Sequence, residues 1–313
     1  MLDDIKETPY DPSMALIRQL VTEYVIFPLG SSLARQRFPE YVRSILFYGP
    51  TGTGKTLVVR AIVYETNSIF FDLSPINIDT KYSSNKTDSD RLVASVMMTA
   101  KEYQPSVIYI DECEKVFPGK KKGGKKKGAK KKKITDPSNP ARIKKALGKW
   151  RTKFIDDKTR ITIIGCSNEP QSGSKKDFKK FFDRAIYFPF PDYTTRRLMW
   201  KSFIEKYKGR MKSDFPLSTL AHISAGYSAG SIKKTCKGVL TEYRVKNQEN
   251  RPLSLPEFIG PLSLCGNTLD DQYEEYKTFT DQITGDGARR AKLEAAANAD
   301  GEGGGPKKKK KKK

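Results

Sequence analysis

One stretch of eight residues constrains this chain more than any other: Gly49-Pro50-Thr51-Gly52-Thr53-Gly54-Lys55-Thr56. It follows the apolar run SILFY and precedes the helical pattern LVVRAIVYE, the strand–loop–helix setting in which the spacing GxxxxGK[ST] carries meaning. Glycine tolerates backbone angles that turn main-chain N–H groups inward, and the helix N-terminus behind them favours an anion. Such a loop cradles phosphate. In a nucleoside triphosphate site of this kind, Lys55 reaches the β- and γ-phosphates and Thr56 is a ligand of Mg²⁺.

The surrounding pattern is α/β. Five apolar runs of strand length begin at Ser44, Ser68, Ser106, Ile161 and Ala185, and their continuous apolarity predicts buried parallel strands. Helical stripes lie between them, such as Leu92, Val93, Val96, Met97 and Ala100, and then Ile143, Ala146, Leu147, Trp150 and Phe154. Alternation of this kind predicts a doubly wound parallel five-stranded sheet over residues 29–191. Residues 1–28 form a lead in which Ile17, Leu20, Val21 and Tyr24 mark an amphipathic helix ending near Phe27-Pro28. After PFPDYTT only helical stripes remain, Trp200, Phe203, Ile204, Tyr207 and then Ile232, Cys236, Val239, Leu240, Tyr243, which predicts a small all-α lid over 192–262. Residues 263–313 are an extension, rich in Gly, Ala and charge from about Gly285 and expected to be disordered from there.

The third strand ends in Asp111-Glu112, and the carboxyl ends of strands are where such a sheet places its ligand. Asp111 fits a carboxylate on the metal side, and Glu112 fits the group that orients or activates the attacking water. Cofactors on this reading are ATP and Mg²⁺.

With these motifs the chain resembles the AAA ATPase family, over roughly Pro12 to Pro261. The resemblance implies that Asn168, in ITIIGCSNEP, contacts the γ-phosphate and the attacking water. It implies that Arg184, in FFDRAIYF, reaches a neighbouring subunit's site, while Phe181 stands where the family usually has a first arginine. An arginine finger supplies about 10³- to 10⁵-fold in rate, so ATP binding is expected more firmly than fast hydrolysis. It also implies that Ala229 and Gly230, in GYSAGSIKK, approach the base. Lys81-Tyr82 falls where many members carry a substrate-gripping aromatic loop, though Ser83-Ser84-Asn85 departs from the usual continuation.

Within the family, RQLVTEYVIFPLGS, PSVIYIDECEKVF and KGVLTEYR are similar to the IQ-and-AAA-domain branch, which serves the nexin–dynein regulatory complex of cilia. No IQ motif occurs in the sequence. That resemblance implies a cytoplasmic, cytoskeletal protein of the ciliary or flagellar axoneme, partnered with proteins of that complex, and ATP bound and slowly hydrolysed in the regulation of motility. The alternative it leaves open is an active ring-forming ATPase that remodels protein or microtubule substrates.

Charge and cysteine usage narrow the partners. Of the net charge of +23, ten charges come from Lys120 to Lys133 within a Lys-rich insertion over 119–133, and seven from Lys307 to Lys313. The basicity is local. Like charges repel and glycines remove helical order, so the insertion reads as an exposed loop, either merely solvated or bound to a polyanion. Without interleaved aromatics or arginine forks, sequence-specific nucleic-acid reading is unexpected, whereas acidic tubulin tails on the microtubule surface suit charge alone. Cys113, Cys166, Cys236 and Cys265 lie far apart around a single histidine, His222, which predicts reduced thiols and neither a zinc site nor a disulfide framework. The acidic MLDDIKETPY start and the lack of any long apolar run predict a soluble chain that is neither secreted nor membrane-bound.

Deleting both lysine runs is expected to abolish co-sedimentation with microtubules and to leave nucleotide binding intact. Binding by the full chain should weaken steeply as salt rises, because the Debye length is only about 8 Å at physiological ionic strength. Undiminished sedimentation of the deletion variant, or indifference to removal of the tubulin tails, would contradict this role.

Overall fold

The computed structural model describes residues 11–37, 42–78, 86–119, 139–266, 270–285 and 287–293. Both lysine runs and Lys81-Tyr82 lie outside them. Helix α1 (Met14–Val21) is capped by Ser13, whose Oγ accepts from the Leu16 N–H at 3.2 Å. It continues through a π-helical turn over Thr22–Ile26 into α2 (Phe27–Gly30), and α3 (Ser32–Arg37) follows. The helix expected to end near Phe27-Pro28 thus runs on to Gly30. Proline is tolerated there because it enters the first positions of a new α turn, where its missing N–H is not needed.

Strand β1 (Ser44–Tyr48) leads into α4 (Lys55–Thr66), β2 (Ile69–Asp72), α5 (Pro75–Ile78) and α6 (Lys86–Glu102). Then come β3 (Ser106–Ile110), α7 (Cys113–Val116), a 3₁₀ turn over Pro140–Ile143, α8 (Lys144–Phe154) and β4 (Ile161–Ser167). Helix α9 (Lys175–Phe181) and β5 (Arg184–Tyr187) complete the sheet. All pairings are parallel, in the order β2-β3-β4-β1-β5. β1, β3 and β4 are buried throughout, as their Val- and Ile-rich runs dictate. β2 is not. It forms an edge, and Ile69 and Phe70 are each 42% exposed, because sequence apolarity does not reveal which strand lacks a second neighbour.

Each face of the sheet carries its own core. α1, the π turn and α4 cover one face through Val21, Val25, Val59 and Ile62. On the other, residues of α6, α8 and α9, including Met97, Leu147 and Phe178, join Phe117, Phe181 and Phe182. Phe181 is therefore an aromatic core residue, its ring 4.9 Å from both Phe117 and Phe182 and 5.5 Å from the Arg151 guanidinium.

The remaining helices are α10 (Tyr193–Lys206), α11 (Leu217–Ile223), α12 (Ala229–Val239), α13 (Glu242–Lys246), α14 (Pro256–Ser263) and α15 (Asp270–Thr284). α10, α11, α12 and α14 enclose a third core around Trp200, Ile204, Ile232, Cys236 and Phe258. Tyr243, read as part of the α12 stripe, is 79% exposed because that helix stops at Val239 and the chain restarts in a new direction.

α15 leaves the small helical core and returns to the sheet, placing Tyr276 and Phe279 in the core beneath α9. Full burial of a phenylalanine contributes about 2 kcal/mol or more, which offsets the polar composition of the rest of this helix. Residues 287–293 are also helical, and Arg290 pairs with Asp281. Order thus extends beyond Gly285, where composition predicted its end, because a charge pair and the docked α15 supply what composition lacks. The four cysteines are buried and unpaired. No helix among the described residues is long and apolar enough to cross a membrane.

One ion pair fastens the lid. Arg244 of α13 donates to Glu257 of α14 at 2.7 and 3.0 Å, and Ser254 adds N–H and hydroxyl bonds to the same carboxylate. The guanidinium, foremost, holds the Glu257 carboxyl down at about 2. A depressed native pKa contributes stability that is present above the unfolded glutamate value of about 4.3 and is lost as pH falls towards 2. Glu257→Gln should cost about 2 kcal/mol at pH 7, with the deficit shrinking across that window in denaturant titrations. A deficit independent of pH would show that the pair is incidental.

Candidate nucleotide site

β1 hands the chain to α4 through the glycine loop. Gly49, Gly52 and Gly54 have φ of 147°, 82° and 100°, and a Cβ on Gly49 would sit 2.2 Å from the Phe188 carbonyl oxygen. Glycine is required at that first position by close approach, quite apart from backbone preference. The Thr53 hydroxyl closes the loop by donating to the Pro50 carbonyl at 2.9 Å. The Gly49 N–H donates to the Ser167 carbonyl at 3.3 Å and ties the loop to the end of β4.

Lys55 turns back into this loop. Its Nζ donates to the carbonyls of Gly49 and Pro50 at 2.8 and 2.7 Å, and the residue is only 5% exposed. Burial lowers its pKa to about 8, with Cys166, Asp111 and Glu114 pulling in the other direction. A desolvated ammonium held only by neutral carbonyls is a strong donor for an anion that enters the loop. The Thr56 hydroxyl lies 3.3 Å from the Tyr109 hydroxyl of β3.

Asp111 and Glu112 leave the end of β3. The Asp111 N–H donates to Ser74 Oγ at 2.9 Å, and Ser74 in turn bonds to the Asp72 carboxylate, so the edge strand braces this turn. The Asp111 carboxylate accepts from the Glu112 N–H at 2.9 Å. Glu112 adopts a left-handed φ of 44° and pairs with Lys115 at 2.6 Å on the surface. The Thr56 hydroxyl and the Asp111 carboxylate are both hard oxygen donors, the chemistry that suits Mg²⁺.

Glu114 was not singled out from sequence. It is 8% exposed, accepts from Ser167 Oγ at 2.6 Å, and burial raises its pKa. Its only sequence signal is an acid two residues beyond Glu112.

Asn168 follows β4 and shares with Pro50, Thr51 and Gly52 a cleft of about 640 Å³. The start of α12 forms the opposite wall. The Gly230 N–H donates to the Gly52 carbonyl at 2.9 Å, and a Cβ on Gly52 would meet Ser228 Oγ at 2.6 Å. Gly230 lines this cleft and Ala229 does not. A second cleft of about 360 Å³ is lined by Pro12, Met14, Phe190, Gly226 and Tyr273, and Phe190 belongs to both. Sequence reading missed this cleft, because its walls come from four distant segments with no motif between them.

Arg184 stands apart. It opens β5 opposite Ile45, at the start of β1, and so lies a strand length from Gly49. It is exposed, with its guanidinium 5.3 Å from the Tyr24 ring centroid.

Residues 45–190 match the family described as ATPase family associated with various cellular activities (AAA). The chain is 32% identical over 276 residues to dynein regulatory complex protein 11 of Mus musculus, covering 86% of this chain and 30% of that protein. Over 266 residues it is 25% identical to spastin of Ixodes scapularis, covering 82% of this chain and 38% of that one. It therefore spans well under half the length of these relatives. Among solved structures, the FIGL-1 AAA domain in complex with ADP superposes with a TM-score of 0.67 at 18% identity, covering 87% of this chain and 88% of that one, a likeness of fold. Residues 45–190 of this chain are a domain of the AAA ATPase family.

Proposed function

We propose that this chain is an ATP-binding module that holds Mg-ATP between the glycine loop and the end of β3, and that it hydrolyses ATP slowly within an axonemal regulatory complex. The observation that carries the nucleotide reading is Lys55, a buried ammonium aimed into a loop of glycines, whose hydrogen bonds among the described residues are to two carbonyls it can leave.

Each residue then has a defined task. Main-chain N–H groups from Gly49 to Thr56 surround the phosphates, and Lys55 exchanges its carbonyl partners for phosphate oxygens. Thr56 and Asp111 would hold Mg²⁺, which when bound would supply neutralising charge to the phosphates. Glu112 turns from Lys115 to orient the attacking water, and Asn168 contacts the γ-phosphate across the cleft. Gly230, with Ala229 behind it, fixes the lid over the sugar and base side. Glu114 keeps the Ser167-Asn168 turn against the root of the loop. With Phe181 built into the aromatic core, the site has one finger candidate, Arg184, and that residue can act only on another copy.

Similarity to a dynein regulatory complex protein supports the axonemal setting and partners within that complex, with the lysine runs as an added contact to the microtubule surface. One observation favours the second reading, a ring-forming ATPase that remodels protein or microtubule substrates: Arg184 is exposed at the edge strand β5, where another copy can approach. Mass and ATPase rate of the purified chain with ATP separate the two. A particle of one chain with slow turnover supports the first, and a ring whose rate depends on Arg184 and on protein concentration supports the second.

Lys55→Ala should weaken Mg-ATP binding by about two orders of magnitude, since it removes the main charge-assisted contact to phosphate. Binding holds Lys55 charged, while the free protein releases that proton near pH 8. Above that value binding must take up a proton, so apparent affinity should fall as pH rises from about 8 to 9. Calorimetry in buffers of different ionisation enthalpy reads the uptake directly, and a flat profile with no proton uptake would contradict the assignment.

Glu112→Gln should retain Mg-ATP and lower turnover by about a hundredfold or more, because the amide keeps the shape and loses the basic carboxylate. Turnover equal to wild type would remove Glu112 from the mechanism.

A further inference from the structure

Helix α15 presents one face, Tyr273, Tyr276 and Thr280, to three parts of the site at once. Tyr276 donates its hydroxyl to the main-chain carbonyl of Asn168 at 2.6 Å, and its ring stacks on Tyr187 with centroids 6.2 Å apart. One turn on, Thr280 accepts from the Tyr48 hydroxyl at 2.9 Å, and Phe279 packs edge-on to the same Tyr48 ring at 5.1 Å. Tyr48 is the residue from which the glycine loop springs. One turn back, Tyr273 bonds to Asp11, and both line the smaller cleft. The Glu275 carboxylate accepts from Gln171 at 2.8 Å, in the 3₁₀ turn that follows Asn168.

We infer that Tyr276 is a positioning residue for Asn168, holding the turn after β4 so that the Asn168 side chain meets the γ-phosphate. This rests on the reading of the cleft as a nucleotide site. Among the described residues the turn is tied by the Gly49 N–H to Ser167, the Ser167 hydroxyl to Glu114, Gln171 to Glu275 and the Tyr276 hydroxyl to Asn168, and of these only the last bonds Asn168 itself. Its donor is dependable, because burial pushes the Tyr276 hydroxyl up to about 12 and keeps it protonated at any physiological pH. Loosening this tie leaves the glycine loop, Lys55 and the base-side walls as they are. The loss should therefore fall on nucleotides that carry a γ-phosphate, whereas a helix that merely supports the fold would affect every nucleotide alike.

The test uses the full chain and two probes, Mg-ATPγS and Mg-ADP, titrated against wild type, Tyr276→Phe, Asn168→Ala and the double variant. Tyr276→Phe keeps the buried ring and its stacking partner and removes one oxygen. ATPγS affinity should fall about fivefold, the worth of one hydrogen bond, while ADP affinity stays within about twofold. The double variant should be no weaker than Asn168→Ala alone, since Tyr276 acts through that residue. Equal weakening of both nucleotides, no change in either, or additive losses in the double variant would overturn the inference. A wild type that binds neither nucleotide would overturn the site reading itself and this inference with it. A wild type that binds both, beside an unchanged Tyr276→Phe, would overturn the inference alone.

Discussion

The site depends on one buried ammonium. Taking Lys55 out of water is costly, and the chain offsets that cost by folding two carbonyls of its own loop back over it. Those carbonyls can face inward only because Gly49 tolerates contact with Phe188, and Gly52 and Gly54 take left-handed angles. The two carbonyls give the ammonium partners within its own loop. The arrangement is also exchangeable, because phosphate oxygens are better partners for an ammonium than neutral carbonyls.

Topology brings the other groups to this point. β1 lies between β4 and β5, so the loop that leaves it is flanked by the end of β4, while β3 delivers Asp111 one strand further on. The sheet carries Asp111 and Glu112 at the end of β3, the Gly230 N–H of α12 donates to the Gly52 carbonyl, and α15 bonds to Tyr48 through Thr280 and to Asn168 through Tyr276. The sheet, α12 and α15 thus meet over a few residues. Arg184 opens β5 opposite Ile45, at the other end of the strand from the glycine loop.

Much of this was legible from residues alone. The five strands announced themselves as short apolar runs, and local spacing was enough to put Gly49 to Thr56 at the passage from β1 into α4 and Asp111-Glu112 at the end of β3. What escaped was tertiary. Nothing in IFFD says that β2 is an edge, since apolarity reports burial in general and not the number of neighbours. Glu114 carries no motif, and its place beside Ser167 depends on β3 and β4 being adjacent. α15 reads as polar, its few aromatics spaced among acids, and its docking follows from where the lid ends and not from its composition. The smaller cleft unites Pro12, Phe190, Gly226 and Tyr273 across most of the chain, beyond the reach of any periodicity.

Lys55 and Thr56 are expected to trade internal partners for the nucleotide and its metal, and a crystal structure with Mg-ATPγS tests this. Lys55 Nζ should leave the Gly49 and Pro50 carbonyls for the β- and γ-phosphates, and Thr56 should turn from Tyr109 to the metal beside Asp111. Nucleotide bound elsewhere, or bound here with Lys55 still donating to its own loop, would contradict the account.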